Sequence, residues 1–324
     1  MSLSRRGLLS LAMALPAGRA LARMTAPSAL IMGTGRPGGY YALYGAKWGE
    51  LAQSAAGIDI AFRASGGAAA DILLIEQNTT QLGMTTLVVA EQARNGVGAW
   101  TAGVKFQEFR ALFPMFPSVL QIISPRPTGI TTLAGLAGQV VGIGPDGSTG
   151  ATAVPSILAS VGVLPKASMT GDYVSQVQDM LAGRIAACAF IGAPPLPAIA
   201  AAAMGRKLSL IGFSEDEARQ VARTSPGMTS MLLVAGVLPG LTTAVGSVGT
   251  VNFAIGAASL PDAQVSALTL AALRNQPALA ALVPAAGAAP DAGPIMRAGI
   301  PFHPGAAAAL RSLGLDIPDE AVQG

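Results

Sequence analysis

Apolar runs of strand length recur along the chain, each stopped by a glycine-rich loop and followed by apolar positions at helical spacing. The run 29–32 ends in the loop 33–39, and Tyr44, Trp48, Leu51 and Ala55 then predict a helix over 41–56. Ile58, Ile60 and Phe62 alternate in a second strand over 58–64, which meets Ser65-Gly66-Gly67. Ile72, Leu73 and Ile75 place a helix after that loop, ending near Asn78, and residues 81–90 read as a third strand running into a helix. Strand, glycine loop and helix repeated in this order predict an α/β fold with a mixed, mainly parallel sheet.

The pattern breaks over 110–124, where Pro114 and Pro117 interrupt an apolar run and leave 119–123 as its strand, with Pro125-Arg126-Pro127 marking a crossing. It restarts with a strand at 139–143, a loop at 144–150 and a helix through Ile157 and Leu158. A helix at 174–181, a strand at 185–191, a proline-rich turn at 194–197 and a strand at 208–213 complete a second unit. Residues 224–261 carry no charge, but Pro239-Gly240 and further glycines cut them into pieces too short to span a bilayer. They read as two buried strands, 231–238 and 251–258, the second followed by a helix from Leu260-Pro261-Asp262 to Asn275 that returns the chain to the first unit. The alanine-rich tail from 277 reads as helical and surface-packed. Two lobes are expected, 23–120 with 245–324, and 121–244.

Residues 1–22 have a charged start (Arg5, Arg6), an apolar run (8–15), a Pro16 and Gly18 break and Ala20-Leu21-Ala22, the plan of a secretory signal cleaved near Ala22. Ser4-Arg5-Arg6-Gly7-Leu8-Leu9 is also compatible with a twin-arginine signal, and general secretion and twin-arginine export both stay open. With Cys188 as the sole cysteine, no lipid anchor is expected at the new N-terminus. The 324-residue chain has a formal charge of +3 from 20 Lys+Arg and 17 Asp+Glu. Cleavage removes Arg5, Arg6 and Arg19 and no acid, so 17 basic residues then face 17 acidic ones and the balance is zero. The basic excess belongs to the signal, and nucleic acid is not an expected partner.

One His and one Cys exclude a disulfide and a Cys/His zinc site, and no metal or cofactor is expected. His303 has no nucleophile-elbow partner, Cys188 sits in an apolar strand, and Glu215-Asp216-Glu217 reads as the first turn of a helix capped by Ser214. None of these suggests an enzyme.

Gly33-Thr34-Gly35-Arg36-Pro37-Gly38 satisfies the spacing of a dinucleotide fingerprint, but Pro37 removes an N–H and the second strand does not end on an acid. An exported nucleotide-dependent oxidoreductase is therefore the alternative of a different class. Three Gly/Ser/Thr loops at equivalent strand ends, 33–39, 65–67 and 147–150, would converge on one crevice and could hold a small anion with N–H groups from both lobes. Arg36 can pair with a carboxylate; Arg63 and Arg126 are weaker candidates. Tyr41 would wall the pocket, whereas Tyr44 suits the core.

The run 31–45, Ser65-Gly66-Gly67, 141–150 with Ile157-Leu158 and Gly162, Leu181-Ala182-Gly183-Arg184-Ile185 with Pro194-Pro195, and Leu260-Pro261-Asp262 together resemble the TAXI family of TRAP-transporter solute-binding proteins. The resemblance implies a two-lobed periplasmic-binding-protein type II fold with hinge strands, a periplasmic location, and delivery of a small solute, carboxylate-bearing by the family's habits, to a membrane permease. A receptor for an ABC-type importer is the alternative within the class. Carried over by position, the ligand-binding residues would be Gly33, Thr34, Gly35, Gly39 and Tyr41; Ser65, Gly66 and Gly67; Thr85; and Gly147, Ser148 and Thr149, with Arg36 added from its own chemistry. The family's polar residues are replaced at Ala68, Asp71, Thr85, Thr86, Leu87 and Gly150, which favours a smaller or more apolar solute.

Overall fold

The computed structural model describes residues 29–238 and 241–323, so the expected signal at 1–22 lies outside the described residues. The first lobe opens with β1 (Leu30–Gly33), α1 (Tyr40–Ala56), β2 (Ile60–Arg63), α2 (Ala68–Glu76), β3 (Leu82–Thr86) and α3 (Leu87–Asn95). The long strand β4 (Phe109–Pro125) leads into β5 (Val140–Gly142), α4 (Thr149–Ser160), β6 (Ala167–Met169), α5 (Tyr173–Leu181), β7 (Ala187–Gly192), α6 (Pro197–Ala203), β8 (Leu208–Ile211), α7 (Glu215–Thr224) and β9 (Thr229–Leu233). A second long strand, β10 (Val245–Ala257), returns to α8 (Asp262–Leu273), α9 (Gln276–Ala280), α10 (Gly293–Arg297) and α11 (Pro304–Ser312).

The strands form one mixed sheet in the order β2-β1-β3-β10-β4-β7-β5-β6, with β8 beside β4 and β9 beside β10. β1 is parallel to β2 and β3, and β5 to β6 and β7, whereas β10 runs antiparallel to β3, β4 and β9. The start of β4 pairs with the end of β10, and its far half pairs with β7 and β8. β4 and β10 thus belong to both lobes.

Continuity of β4 corrects the expectation that prolines would break it. Pro114 faces Phe253 and Pro117 faces Val251, with register irregularities at Val251/Phe253 and Ala254/Ile255. A proline cannot donate to a ladder, and the strand absorbs both at irregular steps instead of ending. The crossing therefore lies inside β4, before Pro125. β9 is also unlike its expectation: it is an edge strand with Leu232 62% exposed, and only the β10 run is deeply buried.

On α1 the buried stripe is Tyr44, Trp48 and Ala52, with Gly45 and Gly49 beside it; Ala55 is exposed. The glycines let the helix lie close to the sheet, since a Cβ on Gly49 would come within 2.5 Å of the Phe62 ring. Trp48 packs edge-on against Phe113 at 5.0 Å, and its indole N–H donates to the Leu268 carbonyl. The alanine-rich tail is not surface-packed: Ile295, Phe302, Ala306 and Leu310 are buried, and Phe302 bridges to Ala111 of β4. Small side chains here permit close approach of α11 to α8, where a Cβ on Gly305 would lie 2.1 Å from the Asp262 carbonyl oxygen. His303 is consumed by this tail. Its Nδ1 accepts from Gly305 N–H, capping α11, and Nε2 lies 3.0 Å from the Leu260 carbonyl oxygen. Cys188 is buried in β7, with its thiol pushed up by burial and by Asp179. No helix among the described residues is long and apolar enough to cross a membrane.

Candidate functional site between the lobes

Each strand-end loop turns where glycine is needed. Gly35 and Gly38 adopt φ values of 68° and 87° before α1, Gly67 adopts 121° before α2, and Gly147 adopts 77° before α4. Ser148 then caps α4, its hydroxyl accepting from Ala151 N–H at 3.1 Å.

The loops meet across the cleft. The N–H groups of Ala69 and Ala70, in the first turn of α2, donate to the Gly147 carbonyl at 2.9 and 3.3 Å. Thr86 and Thr149 share a hydroxyl hydrogen bond of 3.1 Å, and the Tyr40 hydroxyl donates to the Pro195 carbonyl at 3.0 Å. Arg36 Nε stands 3.7 Å from an Asp172 carboxylate oxygen, both side chains about half exposed. Gly66 allows this closeness, because a Cβ there would lie 1.9 Å from the Asp146 carbonyl oxygen. The lobes are closed on each other around a cavity of about 50 Å³, room for a few waters or a compact solute.

The first lobe contributes Gly35, Arg36, Gly39, Tyr40, Tyr41, Gly66 and Ala68 to the wall. The crossing strands contribute Phe116, Ser118 and Asn252; the second lobe adds Ser148, Thr149, Tyr173, Ala193, Leu196 and the end of β7, Ile191 and Gly192. Most polar groups in this wall are bonded to protein. Tyr41 donates to Asn252 Oδ1 at 2.8 Å, and the Asn252 amide donates to the Phe116 carbonyl and the Ser118 hydroxyl, both at 2.7 Å. Gly35 and Gly67 N–H groups donate to the Ser65 hydroxyl, Thr34 N–H to the Arg63 carbonyl, and Ser148 N–H to the Pro145 carbonyl. These amides are bonded within the protein, which also leaves a pyrophosphate few donors in the first loop.

Of the residues singled out from sequence, Gly35, Arg36, Gly39, Tyr41, Gly66, Ser148 and Thr149 line the cavity together. Gly33, Thr34, Ser65, Gly67, Thr85 and Gly147 stand outside its wall, most of them as loop framework. Thr34 and Thr85 direct their hydroxyls to the Arg63 and Ala68 carbonyls, and Gly147 supplies the carbonyl that α2 grips. Tyr44 is in the core beside Phe116. Sequence reasoning missed Tyr40, Phe116, Ser118, Tyr173, Leu196 and Asn252. Asn252 did carry a signal, a strong hydrogen-bonding side chain inside a charge-free apolar strand.

Burial raises ionisable groups in the wall and behind it. Asp71 is fully buried and its carboxyl is pushed up to about 7 by desolvation, moderated by the Ser65 hydroxyl and the Met84 N–H. It lies against the strands β1 and β3: a Cβ on Gly33 would fall 2.3 Å from its Oδ1, and one on Gly83 would fall 2.9 Å from its Cβ. Oδ2 accepts from Met84 N–H at 3.0 Å, while Oδ1 has no partner among the described residues. Tyr41 is raised well above the usual phenol range by burial, then by Asp71 and Tyr173; Tyr173 is pushed up to about 12 by burial. Both tyrosines are therefore neutral hydrogen-bonding groups at physiological pH.

A wider recess of about 1040 Å³ runs along the outer seam of α2, α3 and α4, past Trp100 and Pro155. Of the three strand-end loops only Gly147 reaches it. The site is assigned to the smaller cavity, where all three loops, both crossing strands and a cation meet. Among the described residues no group of three or more His, Cys, Asp or Glu is placed to hold a metal.

Residues 32–314 match the model of the NMT1-like family. Among solved structures, one described as a periplasmic transporter superposes with a TM-score of 0.55 at 15% identity, covering 83% of this chain and 90% of that one. The alkanesulfonate-binding protein SsuA from Xanthomonas axonopodis pv. citri, bound to MOPS, gives 0.48 at 14% identity over 92% and 89% of the two chains. The GluR0 ligand-binding core from Nostoc punctiforme, in complex with L-glutamate, gives 0.48 at 16% identity over 78% and 96%. The fold is that of the type II periplasmic binding proteins, α/β with a mixed sheet.

Proposed function

We propose an extracytoplasmic solute receptor as the role of this chain, which belongs to the NMT1-like family. In this reading it serves a TRAP-type secondary transporter as a TAXI-like binding protein, exported by its first 22 residues. It encloses a small organic acid or amino acid between lobes 23–120 with 245–324 and 121–244, and presents it to a membrane permease. The observation that carries the reading is the ring of interlobe bonds around the cavity: Ala69 and Ala70 to Gly147, Thr86 to Thr149, Tyr40 to Pro195, and Arg36 beside Asp172. A solute that fits only inside this ring shifts open lobes towards the closed form. Arg36, Tyr41, Ser148 and Thr149 would touch the solute, with Gly35, Gly39 and Gly66 lining its place; Gly33, Thr34, Ser65, Gly67, Thr85 and Gly147 would hold the loops in register.

A thermal-shift screen of organic acids and amino acids tests the reading, because a solute that binds only the native state raises Tm. A hit should also reduce the radius of gyration in small-angle scattering. No shift and no compaction with any solute would reject a cleft receptor. Uptake into vesicles carrying the permease should follow an ion gradient without ATP; a requirement for ATP would move the chain to an ABC-type importer.

A further inference from the structure

We infer that the solute is a compact monocarboxylate with an apolar body, its one carboxylate meeting Arg36 and its carbon skeleton lying among Tyr41, Phe116, Tyr173 and Leu196. The inference rests on the receptor reading of the same cavity and narrows it.

Charge in the wall is the first argument. Arg36 is the sole charged residue among those lining the cavity, and no carboxylate lines it. Asp172 is engaged with Arg36 from the other lobe, and Asp71 lies behind the wall against Gly33 and Gly83. A second carboxylate, as in a dicarboxylic acid, would meet no other cation in the lining, and the ammonium of an amino acid no acid except Asp172 beside Arg36; a charge taken out of water without a partner is disfavoured. A single carboxylate is matched, since Asp172 stands 3.7 Å from Nε, too far for a hydrogen bond, and the guanidinium can still offer a solute two parallel donors.

Hydrogen-bonding capacity is the second. The Tyr40 and Tyr41 hydroxyl protons, both protons of the Asn252 amide and one of the two protons of the Thr86–Thr149 pair are committed to protein acceptors. A solute rich in hydroxyl or amide groups would find these donors taken and only a few hydroxyls, Ser118 and Tyr173 among them, left to meet it, whereas an alkyl or alkenyl body needs none. Volume is the third: about 50 Å³, well below the roughly 300–1,000 Å³ of a drug-sized site, excludes a long chain.

Titration calorimetry on the purified full chain at pH 7 should compare butyrate, butyramide, succinate and L-glutamate. Butyrate is expected to bind at least tenfold more tightly than the other three. Arg36→Gln, a change at a half-exposed side chain outside the core, should weaken butyrate at least tenfold and leave butyramide unchanged. Succinate or glutamate binding as well as butyrate would overturn the monocarboxylate assignment while leaving the receptor reading intact. Butyrate affinity unaltered by Arg36→Gln, or equal for butyramide, would overturn the role of Arg36. If none of the four binds although another solute raises Tm, the inference falls alone; if no solute of any class binds, both fall.

Discussion

Asp71→Asn tests the buried carboxyl behind the first loop. Burial pushes the Asp71 carboxyl up to about 7, against 3.8 for an unhindered carboxyl, with desolvation as the first cause. At about 1.4 kcal/mol per unit this amounts to about 4 kcal/mol. The native state holds this proton up to about pH 7 and the unfolded chain releases it near 3.8, so the native state binds more protons between those values. Stability from this residue is therefore full below about pH 4, falls as pH rises, and levels off above about pH 7. Asparagine has nearly the same shape and does not titrate, so subtracting its curve removes every other ionisation. Urea unfolding followed by tryptophan fluorescence, with Trp48 reporting from the first lobe core, would be measured at half-unit steps from pH 4 to 8. The stability of the wild type minus that of the variant should fall by about 4 kcal/mol across the window, with the variant the more favoured at the alkaline end. A difference that stays constant with pH would refute the reasoning, since the carboxyl would then be ionised throughout.

Two further substitutions separate closure from folding. Gly66→Ala places a methyl 1.9 Å from the Asp146 carbonyl oxygen across the cleft, so it should lower solute affinity at least tenfold, about 1.4 kcal/mol, with an expanded scattering profile and little loss of Tm; normal affinity would show that the lobes close elsewhere. Thr149→Val removes the bond to the buried Thr86 hydroxyl and should weaken solute binding by about 0.5–1.5 kcal/mol, which calorimetry reads as a several-fold rise in Kd.

Legibility of the sequence followed the locality of each signal. The units β1-α1, β2-α2, β3-α3 and β5-α4 are written in short runs whose period and glycine punctuation are local, and the loops at 33–39 and 65–67 are where those signals put them, while 147–150 gives Thr149 and Gly150 to the start of α4. β4 was misread because Pro114 and Pro117 are local breakers, and only the partner strand β10, more than a hundred residues later, shows how they fit. The tail was misread for a similar reason: alanine looks like surface filler until α8 arrives to be packed against. Around the cavity, Gly35, Arg36, Gly39, Gly66 and Ser148 were readable as neighbours from their strand-end loops, whereas Gly33, Thr34, Ser65, Gly67 and Gly147 stand outside the wall. Phe116, Ser118 and Asn252 on the crossing strands, and Tyr173 on α5, were not readable, because they enter the wall only through the apposition of the lobes. The internal bonding of Gly35, Gly67 and Ser148 amides was equally hidden: composition announces donors, and tertiary structure decides who receives them.

β10 returns to the first lobe late in synthesis, which bears on how the chain is made and, if it is exported as proposed, how it is moved. β3 and the start of β4 obtain their shared neighbour only from β10, and Trp48 obtains its acceptor from Leu268, 220 residues away. Until the last quarter of the chain has emerged, two inner edges of the sheet stay unpaired, whereas everything between the crossing strands is contiguous and can assemble first. Pairing over such distances is slow to nucleate, which prolongs the interval in which a newly made chain is still threadable. A general secretion channel, which passes extended polypeptide, would gain from that delay. A twin-arginine channel, which passes finished proteins, would have to wait for the C-terminus.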